Sequence, residues 1–393
     1  MTDQPFDAVR RLRVMHVITH LDMGGAETVA LGLIEALREH IDFSVFAVLQ
    51  HAAPSAIGRE MIDRLAGWGV PTRFGVRGRF KSGGVVVAAY ALARAIEAER
   101  PDVVHVHTEI PEITLAVACL LSRRVRRTRL LRTVHNCELW IAWGGIGRWV
   151  TQRLAHAQAV AVSHHAADAD AAIATRTVRP VADVIYNGVA QPPRSSQARE
   201  AGPVRVLFAA RLVHQKGADL LPAILSAAHA RTARRNVVVT IAGSGVLQET
   251  IAQELVGRVA DWDVRMTAPI ERLTERLADY DVVIAPSRFE GFGLLPAEVL
   301  LAGLPVVTTD APGLDEVIPA DYPYRATSED TDALGAHLAT VIDDPAGARD
   351  DVARYGNDLA ARFAPEVMAS AYLARYRALG RSQGGTGKRG VAG

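Results

Sequence analysis

Residues 282–310 read VVIAPSRFEGFGLLPAEVLLAGLPVVTTD. Val282–Ala285 is a short charge-free, β-branched run, the pattern of a strand covered on both faces, and Pro305–Thr308 is a second. Between them a Gly-rich loop leads into an apolar stretch. Pro296 is placed to be its first helical residue, and Gly303 followed by Pro305 ends the helix after two turns. Strand, loop, helix, strand in this order is a parallel βαβ unit. On such sheets ligands bind beyond the carboxyl ends of the strands. The loop that carries Glu290 is therefore where chemistry is expected.

The alternation extends in both directions. Val204–Ala209, Val237–Ala242 and Val264–Met266 read as further strands of the same half. In the first half Arg13–Thr19, Phe43–Leu49, Val103–His107, Leu130–Val134, Ala159–Ser163 and Asp183–Tyr186 are strands, with helices over Ala26–His40 and Val85–Ala98. Gln191–Pro203 (QPPRSSQAREAGP) breaks the pattern with Pro, Ser and charge, and reads as a hinge. The chain thus predicts an α/β fold of two doubly wound, Rossmann-like domains facing each other across a cleft. Their ranges are 1–195 and 203–364, with a helix at about 365–380 expected to pack back on the first. The Gly-rich tail 381–393 reads as disordered.

The 393 residues include 49% hydrophobic and 22% charged residues, a globular composition. The longest run without formal charge, Phe43–Gly58, is too short and polar to span a bilayer. Met1-Thr-Asp-Gln-Pro shows no basic cap before an apolar run, so a secretory signal is not expected and a cytoplasmic location is. Cys119 and Cys137 cannot form a disulfide framework or a structural zinc site alone. A net charge of +1 disfavours nucleic acid as partner. Residues 1–200 nevertheless hold 24 Lys and Arg against 19 Asp and Glu, with Arg123, Arg124, Arg126, Arg127, Arg129 and Arg132 in one run. That run is either a solvated helix end or a patch for anionic lipid at the inner face of the membrane.

Three loops, with a Gly-rich one beside the second, carry candidate binding groups. Asp22-Met-Gly24-Gly25 joins the first strand to the first helix, where paired glycines and a helix N-terminus suit an anion or form a plain connector. Arg211 and Lys216 place two cations after Val204–Ala209, and Gly243-Ser244-Gly245 follows the next strand. In the third loop Glu298 falls in the first helical turn, where the dipole alone favours a carboxylate; Glu290, eight positions earlier, has no such explanation. His105-x-His107 lies on one face of a strand, but without a third ligand a metal site is not expected. One of the pair should pack and the other line the cleft. Trp140, Trp143 and Trp149 fit either core packing or a wall at the acceptor or membrane side.

With seven residues between Glu290 and Glu298, this stretch resembles the Glu-x7-Glu signature of the retaining GT-B glycosyltransferases of family 4. MGGAE at Met23–Glu27, PDVVHVH at Pro101–His107, TVHN at Thr133–Asn136, VSHHA at Val162–Ala166, YNGV at Tyr186–Val189 and ARLVHQKG at Ala210–Gly217 resemble the family's other motifs, in matching order. Pro312-Gly313 stands where the family has a Gly-Gly pair, ahead of Glu316.

The resemblance implies a GT-B fold and transfer of a hexose from a nucleoside-diphosphate sugar, UDP-sugar first and GDP-mannose next. The acceptor would be a hydroxyl on a glycan, a lipid-linked intermediate or a small alcohol, in polysaccharide or glycolipid synthesis. It implies that Glu298 binds the ribose, that Arg211 and Lys216 neutralise the diphosphate, and that Glu290 contacts the donor sugar. On the same resemblance His135 would approach the transferred sugar from the N-terminal domain, and Gly24, Gly25, Gly243, Gly291, Phe292, Gly293 and Leu294 would complete the donor site. No cofactor and no metal are implied. The rival readings are a GT-B sugar-nucleotide epimerase and a non-catalytic nucleotide-sugar-binding or scaffold protein.

Overall fold

The computed structural model describes residues 10–22, 24–78, 80–173, 181–193 and 202–381. Two sheets, parallel throughout, organise the chain. The first contains β1 (Leu12–Ile18), β2 (Ile41–Gln50), β3 (Thr72–Arg77), β4 (Val103–His107), β5 (Arg129–Val134), β6 (Gln158–Ala161) and β7 (Asp183–Val184), in the order 3-2-1-4-5-6-7. Its crossovers are α1 (Gly25–Leu37), α2 (Ala56–Gly67), α3 (Val85–Glu99), α4 (Glu109–Leu121) with the short α5 (Arg123–Arg127), α6 (Ile146–Arg153) and α7 (His164–Ile173). The second sheet runs β10-β9-β8-β11-β12-β13, from β8 (Val204–Ala209), β9 (Val237–Ala242), β10 (Asp263–Thr267), β11 (Val282–Ala285), β12 (Val306–Thr309) and β13 (Arg325–Ala326). Helices α8 (Leu221–Arg231), α9 (Gln248–Leu255), α10 (Leu273–Arg276), α11 (Leu294–Leu301), α12 (Thr331–Asp343) and α13 (Pro345–Arg362) cover it, and α14 (Pro365–Arg381) ends the described chain.

The expected α/β, doubly wound architecture is what the chain adopts. Its central strands are buried along their length, as β4 and β11 show, because helices cover both faces of each sheet. Several elements lie outside the sequence reading, β3 and α4 among them. β3, TRFGVR, looks like a loop because an edge strand tolerates charge, and Gly75 is required there, since a Cβ would lie 2.5 Å from the Val48 carbonyl oxygen. In α4, Pro111 falls in the first turn, where its missing N–H has no helical partner to lose. Of the hinge at 191–203 and the tail at 381–393, residues 194–201 and 382–393 lie outside the described residues.

α14 packs on the first domain. Met368, Tyr372, Tyr376 and Leu379 join a buried cluster with Val14, Val29, Leu33 and Ile34. At about 1.5–3 kcal/mol per fully buried apolar side chain, this fastens the end of the chain firmly to the N-terminal sheet. The crossing point is tight: Val189 N–H donates to Phe363 O at 2.8 Å, and a Cβ on Gly188 would lie 2.7 Å from Pro365 Cα.

Candidate active site

In both sheets the strand order reverses beside the first strand, between β1 and β4 and between β8 and β11. The loops leaving β1, β8 and β11 are among those the sequence marked, and the β11 loop meets the loops after β1 and β5. A Cβ on Gly25 would touch the Leu294 side chain at 3.5 Å, and one on Gly291 would lie only 1.8 Å from His135 O. Cys137 Sγ donates to Glu290 O at 2.7 Å. Below this contact Glu316 reaches across the domain boundary, its carboxylate accepting from the N–H groups of His164 (2.9 Å) and His165 (3.0 Å) and from Tyr186 Oη–H (3.0 Å). It closes the N-terminus of α7, where a carboxylate is favoured. The VSHHA and YNGV motifs thus meet in one interdomain clamp.

The charged centre lies in the β8 and β11 loops. Lys216 Nζ donates to both carboxylate oxygens of Glu290 at 2.6 Å, and Ser287 Oγ–H donates to Oε1 at 2.8 Å. The loops are stacked on glycines: Gly217, at φ +64°, leaves 2.0 Å between a Cβ and Pro286 O, and Gly313, at φ +83°, leaves 2.1 Å to Glu290 O. Arg288 ties the same loops, donating to Asp219 Oδ1 (2.7 Å), Asp219 Oδ2 (2.8 Å) and His214 O (2.6 Å). Arg211 is exposed and donates to Gln215 Oε1 at 3.0 Å, and its charge is felt by Glu27 and His20 of the first loop. Glu27 is buried behind Gly24, and burial pushes its pKa up to about 7 against the pull of the backbone amides of Thr19, His20 and Glu27. Glu298 opens partly to solvent, yet the protein packed around its carboxyl group raises its pKa to about 7. The carboxyl has no protein partner among the described residues.

Opposite this centre stands His135, the end of a buried polar chain. His135 Nε2 lies 2.9 Å from His107 Nδ1, and His107 Nε2 lies 2.9 Å from His16 Nδ1. Burial drives the pKa of His16 and His135 down to about 3, and those of His105 and His107 well below the ordinary value. All four rings are therefore neutral at pH 7. Beside His135 a cavity of about 20 Å³, room for one water molecule, is lined by Glu112, Arg132 and Trp140 among others.

Two family descriptions match the chain: "Glycosyltransferase Family 4" over residues 23–191 and "Glycosyl transferases group 1" over residues 203–344. This chain belongs to the family 4-type glycosyltransferases. Glycogen synthase of Mycobacterium tuberculosis is 28% identical over 305 residues, 72% of this chain and 70% of its own. D-inositol 3-phosphate glycosyltransferase of Xylanimonas cellulosilytica is 36% identical over 185 residues, 42% of each chain. Among solved structures, Anabaena HepE in complex with UDP superposes with a TM-score of 0.71 at 18% identity, covering 93% of this chain and all of that one. Sucrose-phosphate synthase from Thermosynechococcus elongatus gives 0.71 at 18%, covering 94% and 99%. The fold is GT-B.

Several site expectations for this glycosyltransferase need correction. α11 begins at Leu294 because Gly293, at φ +87°, caps it; Pro296 is its third residue and Glu298 its fifth, beyond the first turn, so the dipole explanation for Glu298 loses its force. Phe292 is buried with its ring against Phe363 (centroids 4.9 Å apart), which leaves only its backbone for the cleft. Gly243 and Gly245 serve the neighbouring loop: Cβ atoms there would fall 1.9 Å from Ala210 O and 2.2 Å from Leu212 O. Neither His105 nor His107 lines the cleft, since both are buried, and His16 in register on β1 is the third imidazole the sequence reading missed. Strand pairing 91 residues apart leaves no local signal for that meeting. Arg132 is no part of a surface patch, because β5 is a central strand buried from Leu130 to Val134, and within it Arg132 pairs with Glu112 (2.9 Å) and Asp170 (3.0 Å). Of the tryptophans, Trp140 is core, Trp143 lies under Lys81 (4.7 Å to the ring centroid) and Trp149 is exposed. A second trio of ligand-type side chains, His165, Asp315 and Glu316, belongs to the interdomain clamp.

Proposed function

We propose that this glycosyltransferase is a retaining, metal-independent hexosyltransferase, with a UDP-sugar as first-choice donor and GDP-mannose as second. The acceptor is a hydroxyl of a glycan, a lipid-linked intermediate or a small alcohol, in polysaccharide or glycolipid synthesis. The observation that carries this reading is the Lys216–Glu290 pair held at the carboxyl edge of β8 and β11 with His135 opposite. The bond from the anomeric carbon to the diphosphate breaks, the acceptor oxygen replaces it, the acceptor's hydroxyl proton passes to the departing diphosphate oxygen, and the nucleoside diphosphate leaves. Negative charge then gathers on the diphosphate, where Lys216, Arg211 and the backbone at Gly24 and Gly293 stabilise it without reorganising. Those cations serve where a divalent ion serves elsewhere. Glu290 faces the sugar, whose reacting carbon gains oxocarbenium character. Glu298 takes the ribose. The UDP bound in the Anabaena HepE complex supports a UDP donor. Retention rests on the family resemblance.

Thermal unfolding against UDP, GDP, ADP and NAD tests the donor class. A ligand at ~100 times its Kd adds about 2.7 kcal/mol, a shift of degrees. A shift with NAD alone overturns the reading. Lys216→Ala should slow transfer roughly 10²-fold, product NMR should show the donor's anomeric configuration, and EDTA should leave the rate unchanged.

The same reading includes a cytoplasmic enzyme touching the membrane's inner face through the N-terminal domain. No helix among the described residues is long and apolar enough to cross a membrane. Leu120 and Leu121 are exposed at the end of α4, next to the arginines of α5. Co-sedimentation with anionic but not neutral vesicles is expected; equal recovery with both sinks the membrane contact.

A further inference from the structure

The buried polar chain behind His135 continues beyond His16. Tyr376 Oη lies 3.2 Å from His16 Nε2 and 2.7 Å from His105 Nδ1, His105 Nε2 lies 2.7 Å from Thr133 Oγ1, and Thr133 Oγ1 lies 2.9 Å from Tyr372 Oη. Six contacts join seven groups in one unbranched line from α14 to the cleft. Each of the six groups behind His135 brings one hydrogen, and each contact needs one.

Such a line has two arrangements, because turning one donor round turns them all. In one arrangement His135 donates from Nε2 and every later group donates away from the cleft. The hydroxyl hydrogen of Tyr372 then has no acceptor among the described residues, in a fully buried position. In the other, Tyr372 donates to Thr133, Thr133 to His105, His105 to Tyr376, Tyr376 to His16, His16 to His107, and His107 Nδ1–H to His135 Nε2. The six hydrogens behind His135 are then all used, and the one left without a protein partner is His135 Nδ1–H, on a half-buried residue, in place of a hydroxyl on a fully buried one.

We infer that the Tyr372–Thr133–His105–Tyr376–His16–His107 chain is a positioning device that holds His135 neutral with its proton on Nδ1, so that His135 meets the reacting groups as a fixed hydrogen-bond donor and not as a base. The burial that keeps all four imidazoles uncharged agrees with this, since one added proton would break the line. His135 Nδ1 has no protein partner among the described residues, and the His135 backbone abuts Gly291 at the cleft. The same three buried imidazoles, His16, His105 and His107, offer ligand atoms within 4.8 Å of one another, so a metal is the competing explanation. It has to displace hydrogen bonds that already satisfy each ring.

The role of His135 in transfer rests on the proposed function; its tautomer does not. The first experiment is ring NMR of the full-length protein with isotopically labelled histidine and no ligand. Nδ1–H is expected on His16, His105, His107 and His135 alike. An Nε2–H signal from His135, or stoichiometric zinc retained through purification and lost in His16→Gln, overturns the inference. The second experiment removes or keeps the last donor. His107→Leu should release His135 to the other tautomer and lower kcat roughly tenfold, the order expected for one unmade buried hydrogen bond, with the donor KM within about twofold. His107→Gln, whose amide can still donate to His135 and accept from His16, should recover most of that loss. A shifted tautomer with unchanged kcat overturns the positioning role and leaves hexosyl transfer standing. Absence of transfer in every protein with every donor defeats the proposed function, while the ring spectra still decide the tautomer.

Discussion

Gly291→Ala tests how the two domains make one site. Gly291 lies within the Glu290 loop of the C-terminal domain, and the atom its missing Cβ would strike, at 1.8 Å, is the carbonyl oxygen of His135 in the N-terminal domain. Real Cβ contacts stop at about 3.0 Å, so alanine forces this point open by at least about 1.2 Å. Backbone meets backbone there, and no side-chain rotation relieves the clash. The Cys137 to Glu290 contact, 2.7 Å long, opens with it. Lys216, Glu290, Ser287 and Glu298 all belong to the C-terminal domain and move together, so nucleotide affinity should stay within about twofold. His135, which the proposed function sets against the transferred sugar, belongs to the other side, and misplacing a group at the reacting centre by about 1 Å costs about 10²-fold in rate. The assay pairs calorimetric titration of the nucleoside diphosphate with steady-state transfer. Expected are near-normal Kd and kcat down roughly 10²-fold, with a single cooperative melt. Normal turnover would show that the reacting state is already more open than the structure. A Kd loss equal to the kcat loss would place His135 and the nucleotide in one rigid unit, and the argument for interdomain registration would fall.

Two further expectations concern charge. Glu298 is raised to about 7, so its ionised, accepting form grows as pH rises from 6 to 8; nucleotide affinity should strengthen by up to about tenfold over that range. Glu298→Gln should abolish the dependence, and a slope equal to wild type in that variant would reject the ribose role. Arg132→Met leaves Glu112 and Asp170 buried without their cation and should cost about 3–5 kcal/mol in urea unfolding. Glu112 already sits near 7, above its unfolded value, so the stabilisation of its protonated form is complete below that value and is lost as pH rises through 7. The deficit should therefore be larger at pH 8 than at pH 6. A loss under 1 kcal/mol at both would mean the triad is not held as a charged unit.

What the sequence made legible follows from what local pattern can encode. Core strands such as β4, β8, β9 and β11 are legible to the residue because burial on both faces fills a strand mostly with apolar residues, His105, His107, Arg205 and Thr240 being the exceptions. β3 was missed because an edge strand escapes that demand. The loops at the carboxyl edges were legible as glycine and charge, and their encounter with His135 matches the order of motifs. His16, by contrast, sits in an ordinary strand, and Tyr372 and Tyr376 in an ordinary helix. Their roles exist only once parallel pairing and the return of α14 bring them under β4. Arg132 shows the same limit from the other side. Six arginines in ten residues look like one feature, but the step from α5 into the covered strand β5 separates a buried ion pair from an exposed helix.

Glycine-rich loops carry the deepest ambiguity, because a missing Cβ makes room for a phosphate or for another backbone. Here the second use dominates what the structure shows. Gly217 admits Pro286, Gly243 admits Ala210, Gly245 admits Leu212, Gly313 admits Glu290 and Gly291 admits His135. These contacts stack the loops after β8, β9, β11 and β12 into one layer and press that layer against the N-terminal domain. Such stacking is what fixes Lys216 on Glu290 before any ligand arrives, and fixed charges stabilise a transition state without the cost of reorganising. A single extra methyl group at any of these glycines should then act on rate through geometry, even where no glycine touches the substrate.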